Sequence, residues 1–172
     1  MVNDLRDFEQ SVLPAKQTFG EASTWKKDEY LLLQCLIVSC DVERQEMLAR
    51  GAADSGWETI VCSNAESAWT YQRFKFVQLA VVDLASDLLG ELRELLKQFS
   101  SLSGLLTIVC GNEADMEEEI WVRQLGAWLY LPGVTEATDV SLLCGEAKHI
   151  VERLHVAAIA PAERKAALRR SR

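Results

Sequence analysis

Asp83 is the residue whose type and position most suggest chemistry. It ends the apolar run LAVVD (79–83), whose composition is typical of a buried strand. A carboxylate at such a place either takes part in a reaction or marks the point where the strand meets water. Further polar or reactive side chains end two other apolar runs: Ser39, Cys40 and Asp41 follow LLLQCLIV, and Cys110 follows GLLTIV. These residues are the candidates for a site built on strand ends.

Residue spacing argues against several common kinds of site. The sequence has no CxxC pair and no cluster of His, Cys and carboxylate residues with the spacing of metal ligands. Its two histidines, His149 and His155, both fall near the last predicted helix. The GxGxxG and Walker sequences that bind nucleotide phosphates are also missing. A metal centre and a nucleotide-dependent enzyme are therefore poorly supported.

Five short apolar runs predict five strands buried on both faces, because each run is rich in Val, Ile, Leu or aromatic residues. Helical spacing is found between the runs, and Asp41 and Asn64 are suitable N-cap residues. Two apolar stripes can be counted on the predicted helices, Leu88, Leu92, Leu95, Leu96 and Phe99, and Leu143, Ala147, Ile150, Val151 and Leu154. This alternation predicts an α/β fold with a doubly wound parallel sheet and helices on both faces. Ligands of such sheets gather at the carboxyl ends of the strands, where the candidate residues lie.

The chain divides into three segments by composition. Residues 1–30 are polar and form an N-terminal arm, 31–155 form the main domain, and 156–172 form a basic C-terminal tail. The tail is interpreted either as a solvated, partly helical terminus or as a docking arm for an acidic partner or for the acidic surface of another copy.

Composition limits the environment and the partners. The 172 residues carry a formal charge of −8, which disfavours binding to nucleic acid or to anionic membranes. Five scattered cysteines predict reduced, buried thiols. No apolar stretch is long enough to span a membrane, and the N-terminus does not resemble a signal peptide. The sequence therefore predicts a cytoplasmic protein whose partners are proteins or small ligands.

Over residues 33–154 the chain resembles the receiver domain of bacterial response regulators. The resemblance is carried by the five strand–helix units, by VVDLAS with Asp83 at the position of the phosphate-accepting aspartate, by Gly90 seven residues later, and by GAWLY before the last strand end. It implies a flavodoxin-like sheet in the order 2-1-3-4-5, and it makes 31–155 a receiver-like domain.

Other positions depart from the family pattern. Ser39 and Cys40 stand where receivers carry two adjacent acids that hold magnesium, and Asp41 comes one place late. Cys110 stands at the family's Ser or Thr position, and Gly133, or Leu131 if the turn is shortened, stands at its Lys position. Phosphoryl transfer needs a metal and fixed cations, and neutral Ser and Cys side chains replace carboxylate ligands poorly. Bound Mg²⁺ or another cofactor is therefore not expected, and phosphorylation of Asp83 should be slow or absent.

Asp83 then has two interpretations. It is either a structural residue that accepts hydrogen bonds from backbone N–H groups or from Ser39, or an unconventional phosphoacceptor with Asp41 as a partial metal ligand. In the implied strand order Cys40 and Cys110 are about 10 Å apart, and a disulfide needs Cα atoms within about 7 Å. Both cysteines are expected to be small buried hydrophobic residues.

Aromatic residues suggest a partner surface. Trp121, Trp128 and Tyr130 fall on helix 4 and strand 5, which with helix 5 form the face that meets partners in the family. Ordinary core packing is the alternative for Trp128 and Tyr130, and Tyr130 matches the family's switch aromatic. The acidic run of Glu117, Glu118 and Glu119 is interpreted as a solvated helix start.

The sequence thus predicts a degenerate, non-enzymatic receiver domain that acts in signalling through protein binding, without phosphorylation. Its partner would be a signalling protein, or a second copy bound through the helix 4, strand 5 and helix 5 face. The alternatives are an active phosphoreceptor that uses Asp83 and a flavodoxin-like domain that binds a small ligand.

Overall fold

The computed structural model describes residues 32–87 and 90–170, with side chains described as far as residue 155. The predicted N-terminal arm (1–30) and Leu88 of the first apolar stripe lie outside the described residues. The elements in chain order are β1 (Gln34–Val38), α1 (Val42–Asp54), β2 (Glu58–Cys62), α2 (Ala65–Phe74), β3 (Leu79–Asp83), a 3₁₀ turn (Leu84–Ser86), α3 (Glu91–Ser100), β4 (Leu106–Gly111), α4 (Met116–Gln124), β5 (Leu129–Pro132) and α5 (Ala137–Arg170).

All five strands are parallel and lie in the order β2-β1-β3-β4-β5. The predicted α/β fold with its flavodoxin-like order is confirmed. No described helix has both the length and the apolar character that crossing a membrane requires.

Successive residues of each strand serve two separate cores. On β1, Ile37 packs with Leu48 of α1 in one core, while Leu36 packs with Ala68 of α2 in the other. The first core also holds α5, and the second also holds α3 and α4. Because both faces are covered, the central strands are predominantly apolar, with Asp83 at the end of β3 as an exception, which is why their runs could be recognised in the sequence.

Side-chain caps fix the starts of the helices that follow strand ends. The Asp41 carboxylate accepts a hydrogen bond from the Arg44 backbone N–H at 3.0 Å, and Asn64 accepts one from Ser67 at 2.9 Å. Both predicted N-caps are confirmed, and such a cap contributes about 1 kcal/mol. The cap at Asp41 begins α1 directly beside the end of β3.

The last helix is longer than its contact with the sheet. Cys144, Ala147 and Val151 are buried against the sheet, whereas Leu154 of the predicted stripe is exposed. The helix continues to Arg170, so the predicted boundary between the domain (31–155) and the basic tail (156–172) falls inside one continuous helix.

Candidate functional site

Asp83 lies at the carboxyl end of β3 and is completely buried. Its Oδ2 accepts hydrogen bonds from Arg44 Nε at 2.7 Å and from Ser39 Oγ at 2.8 Å, and its Oδ1 accepts one from Arg44 Nη2 at 2.8 Å. Both carboxylate oxygens are therefore occupied, and the strand does not end in water.

Arg44 is the partner that sequence reasoning missed. It lies in the first turn of α1, and its Nη1 also donates to the backbone carbonyl of Val134 at 3.1 Å, which ties β3 to the segment after β5. The hydrogen bond to Asp83 raises the pKa of Arg44 above its ordinary value, so the guanidinium stays charged. Helical side chains point towards the helix N-terminus, so a long basic residue in the first turn can reach the strand ends. A basic residue in the first turn of the predicted helix after β1 was therefore the feature of the sequence that could have indicated Arg44.

Two serines complete the hydrogen-bond network around Asp83. Ser39 donates to the carboxylate, as the structural interpretation of Asp83 expected. Its hydroxyl lies 3.1 Å from that of Ser86, which the sequence analysis did not identify. Ser86 Oγ donates to the Asp83 carbonyl at 3.0 Å and accepts from the Cys40 N–H at 2.9 Å. The site is thus a closed network of one acid, one cation and two hydroxyls.

Cys40 and Asp41 lie outside the set of side chains that hold the Asp83 carboxylate. Cys40 is exposed, so the prediction that it is a buried hydrophobic residue was wrong: it lies at the rim, where the chain leaves β1. The Asp41 carboxylate is engaged as the N-cap of α1. Among the described residues no group of three His, Cys, Asp or Glu side chains could hold a metal ion.

Cys110 and Gly133 are the residues predicted from the sequence to stand at the hydroxyl and lysine positions of receiver domains. Cys110 pairs in register with Asp83 and is buried, and burial raises the pKa of its thiol to about 12, so the thiol stays protonated. Gly133 has a φ of +62°, and a Cβ there would lie 2.9 Å from Glu113 Cγ. A lysine at this position would therefore strain the turn.

Tyr130 lies in the core rather than on a free surface, with 5 % of its area exposed. Its hydroxyl donates to Glu118 Oε1 at 3.0 Å, and Arg93 Nη2 donates to Glu118 Oε2 at 2.9 Å. Desolvation, reinforced by the hydrogen bond to Glu118, raises the pKa of Tyr130. As a partner-binding candidate Tyr130 offers almost no surface. The interpretation of Glu118 as solvated was also wrong, since this carboxylate is 4 % exposed.

The two tryptophans are half-buried. The Arg93 guanidinium lies over the ring of Trp121, with Cζ 5.1 Å from the ring centroid. Trp128 packs against the core shared by α1 and α5. Gly111 provides the space for the Tyr130–Glu118 contact, because a Cβ there would collide with both the tyrosine hydroxyl and the carboxylate.

No family model matches the sequence, and no curated protein matches it. Solved structures do match. A receiver domain protein of Methanospirillum hungatei is 22 % identical, with a TM-score of 0.60 over 72 % of this chain and 96 % of that one. The receiver domain of NtrX from Brucella abortus is 20 % identical, with a TM-score of 0.59 over 66 % and 97 %.

A longer NtrX structure from Brucella abortus is 18 % identical, with a TM-score of 0.64 over 74 % of this chain but only 30 % of that chain. These matches agree in fold with the resemblance found in the sequence. The chain has the fold of response regulator receiver domains.

Proposed function

We propose that this chain is a cytoplasmic signalling module that binds a protein partner without being phosphorylated and that has no enzymatic activity of its own. The observation that carries the proposal is the two-pronged hydrogen bonding of Arg44 to the buried carboxylate of Asp83.

A phosphoacceptor aspartate must offer one oxygen as a nucleophile while a metal and fixed cations neutralise the incoming charge. Here Arg44 and Ser39 occupy both oxygens of Asp83. Removing one partner from a buried ion pair costs about 3–5 kcal/mol, because the other charge is left buried and unpaired. Phosphorylation would have to displace Arg44 and would gain no carboxylate pair for Mg²⁺ in return.

The same contact would hold the molecule in one arrangement. Arg44 joins α1, the end of β3 and the carbonyl of Val134 just before α5. The cation that neutralises Asp83 is thus permanently in place, and this contact does not depend on phosphorylation. We infer that the surface around α4 and β5, with Trp121 and Trp128, is presented to partners continuously.

The rival functions each need the place that Arg44 occupies. A phosphoreceptor needs the Asp83 oxygens, and a flavodoxin-like ligand site needs the crevice at the strand ends. The guanidinium occupies that crevice beside Asp83.

The proposal is tested by incubating the protein with acetyl phosphate and Mg²⁺ and measuring its intact mass. We expect no stoichiometric adduct on the wild-type chain, with an active receiver domain as the positive control. A gain of one phosphoryl group that disappears in Asp83→Asn would overturn the proposal.

A further inference from the structure

A basic and aromatic patch lies at the end of α2, outside the site around Asp83. It consists of four consecutive exposed residues, Arg73 to Phe76, with the sequence RFKF. Phe74 and Phe76 are 75 % and 73 % exposed. Among the described ion pairs none involves Arg73 or Lys75. Two exposed phenylalanines that alternate with two cations, on a chain of charge −8, are typical of a contact surface.

An acidic and apolar patch lies at the start of α4. Met116 and Ile120, which are 74 % and 51 % exposed, are four residues apart and share one face of the helix. Glu117 is exposed between them, and Glu119 lies in the same turn, where it pairs with Arg123 at 2.8 Å. This patch therefore combines apolar side chains with the opposite charge to that of the RFKF patch.

The two patches cannot meet within one molecule. Both belong to helices that pack on the same side of the sheet. Phe74 ends α2 just before β3 begins, while Met116 begins α4 just after β4 ends. The patches thus lie at opposite ends of the strands, and each five-residue strand spans about 17 Å. Only another molecule can bring them together.

We infer that the RFKF patch of one copy binds the Met116–Ile120 patch of a second copy, in a head-to-tail contact. The phenylalanine rings would pack on the Met116 thioether and on Ile120, and Arg73 and Lys75 would face Glu117 and Glu119. An open groove of about 530 Å³ lies beside Phe74 and Tyr71 on α2, next to this contact. Such a contact leaves one free patch at each end, so it forms rings or open chains.

The inference deepens the proposed function, on which it rests for the role of α4 as a partner surface. It is tested by sedimentation velocity over a series of protein concentrations. We expect the wild-type mass to rise with concentration, and this association to weaken in high salt. Phe74→Ser with Phe76→Ser, and separately Met116→Ser with Ile120→Ser, should each weaken it at least about tenfold. All four side chains are more than half exposed, so both variants should keep the wild-type circular dichroism.

Mixing the two variants gives the sharpest result. Each retains one intact patch, so the mixture should form a one-to-one dimer and nothing larger, whereas neither variant should associate alone. Leu142→Ser is the matched control, because Leu142 is 71 % exposed on α5 and should leave the association unchanged.

Several results would overturn the inference. One is a wild-type chain that stays monomeric. The others are a Phe74→Ser, Phe76→Ser variant that still forms dimers and a Leu142→Ser variant that no longer associates. Either of these last two results would indicate a symmetric α4, β5 and α5 interface. Binding of a monomeric wild-type chain to phosphatidylserine vesicles through the phenylalanines would assign the patch to lipid instead. None of these results affects the phosphorylation assay, so the two proposals fail separately.

Discussion

Arg44 and Asp83 form an ion pair in which the guanidinium reaches both carboxylate oxygens, at 2.7 and 2.8 Å, with the carboxylate fully buried. Such a pair is weak evidence for stability, because Asp83 loses all of its hydration on folding and Arg44 loses much of its own. Removing only one partner is strongly destabilising, because the other charge then stays buried without compensation.

Arg44→Met should destabilise the fold by about 3–5 kcal/mol, because it leaves the Asp83 carboxylate buried without its cation. The measurement is the free energy of unfolding from urea denaturation. Arg50→Met is the matched control on the same helix, since Arg50 is exposed, and it should change that free energy by no more than about 0.5 kcal/mol.

The double variant Arg44→Met, Asp83→Asn should recover part of the loss, because no unpaired charge remains buried. Equal stabilities for Arg44→Met and Arg50→Met would show that the ion pair is not a buried contact in solution.

Gly111→Ala should destabilise the fold by about 1–3 kcal/mol, because the added methyl group collides with the Tyr130 hydroxyl and the Glu118 carboxylate. Gly145→Ala is the control, because a Cβ at this helical glycine meets nothing within 4 Å. That change should be neutral, or stabilising by up to about 1 kcal/mol.

The cost of Gly111→Ala should be smaller in a Tyr130→Phe background, in which the colliding hydroxyl is missing. Thermal melting of the four chains in this double-mutant cycle measures the coupling. Additive effects would mean that Gly111 does not make room for Tyr130.

Alkaline pH should weaken the fold partly through Cys110. Burial raises the pKa of this thiol from 9.0 to about 12 in the folded chain. Above pH 9 the unfolded chain loses the thiol proton while the folded chain keeps it, so stability is complete below pH 9 and is lost as the pH rises towards 12.

The slope that one such group adds is about 1.4 kcal/mol per pH unit. Urea denaturation at about pH 8 and about pH 10.5 should therefore show a shallower decline for Cys110→Ala than for the wild type. An unchanged slope would contradict the prediction.

The sequence was sufficient for the fold because its determinants are local. Strands such as 79–83 are covered on both faces and are apolar up to their last residue, and the caps at Asp41 and Asn64 lie next to the helices that they start. Gly90 and GAWLY then supported one topology. These features could be recognised without knowing any contact between distant residues.

The site was only partly predictable because its contacts are distant. Arg44 and Asp83 are 39 residues apart, and the sequence around either residue does not indicate that the other is its partner. Glu118 stands in an acidic run that is typical of a solvated helix start, yet Tyr130 and Arg93 satisfy its carboxylate in the core. Tertiary packing determines which group pairs with a buried charge, and composition and periodicity do not predict that packing.

Ser39→Asp and Cys40→Asp separate the position that faces Asp83 from the one that does not. Ser39 is fully buried with its hydroxyl 2.8 Å from Asp83 Oδ2, so an aspartate there adds a like charge to the site and should lower the melting temperature. Mg²⁺ should recover part of that loss, because a cation bound between two carboxylates stabilises the folded state by mass action. Cys40 is exposed, so Cys40→Asp should melt close to the wild type with or without Mg²⁺. The measurement is the melting temperature of each variant with and without the ion, and equal effects at the two positions would contradict the described orientation of the β1 end.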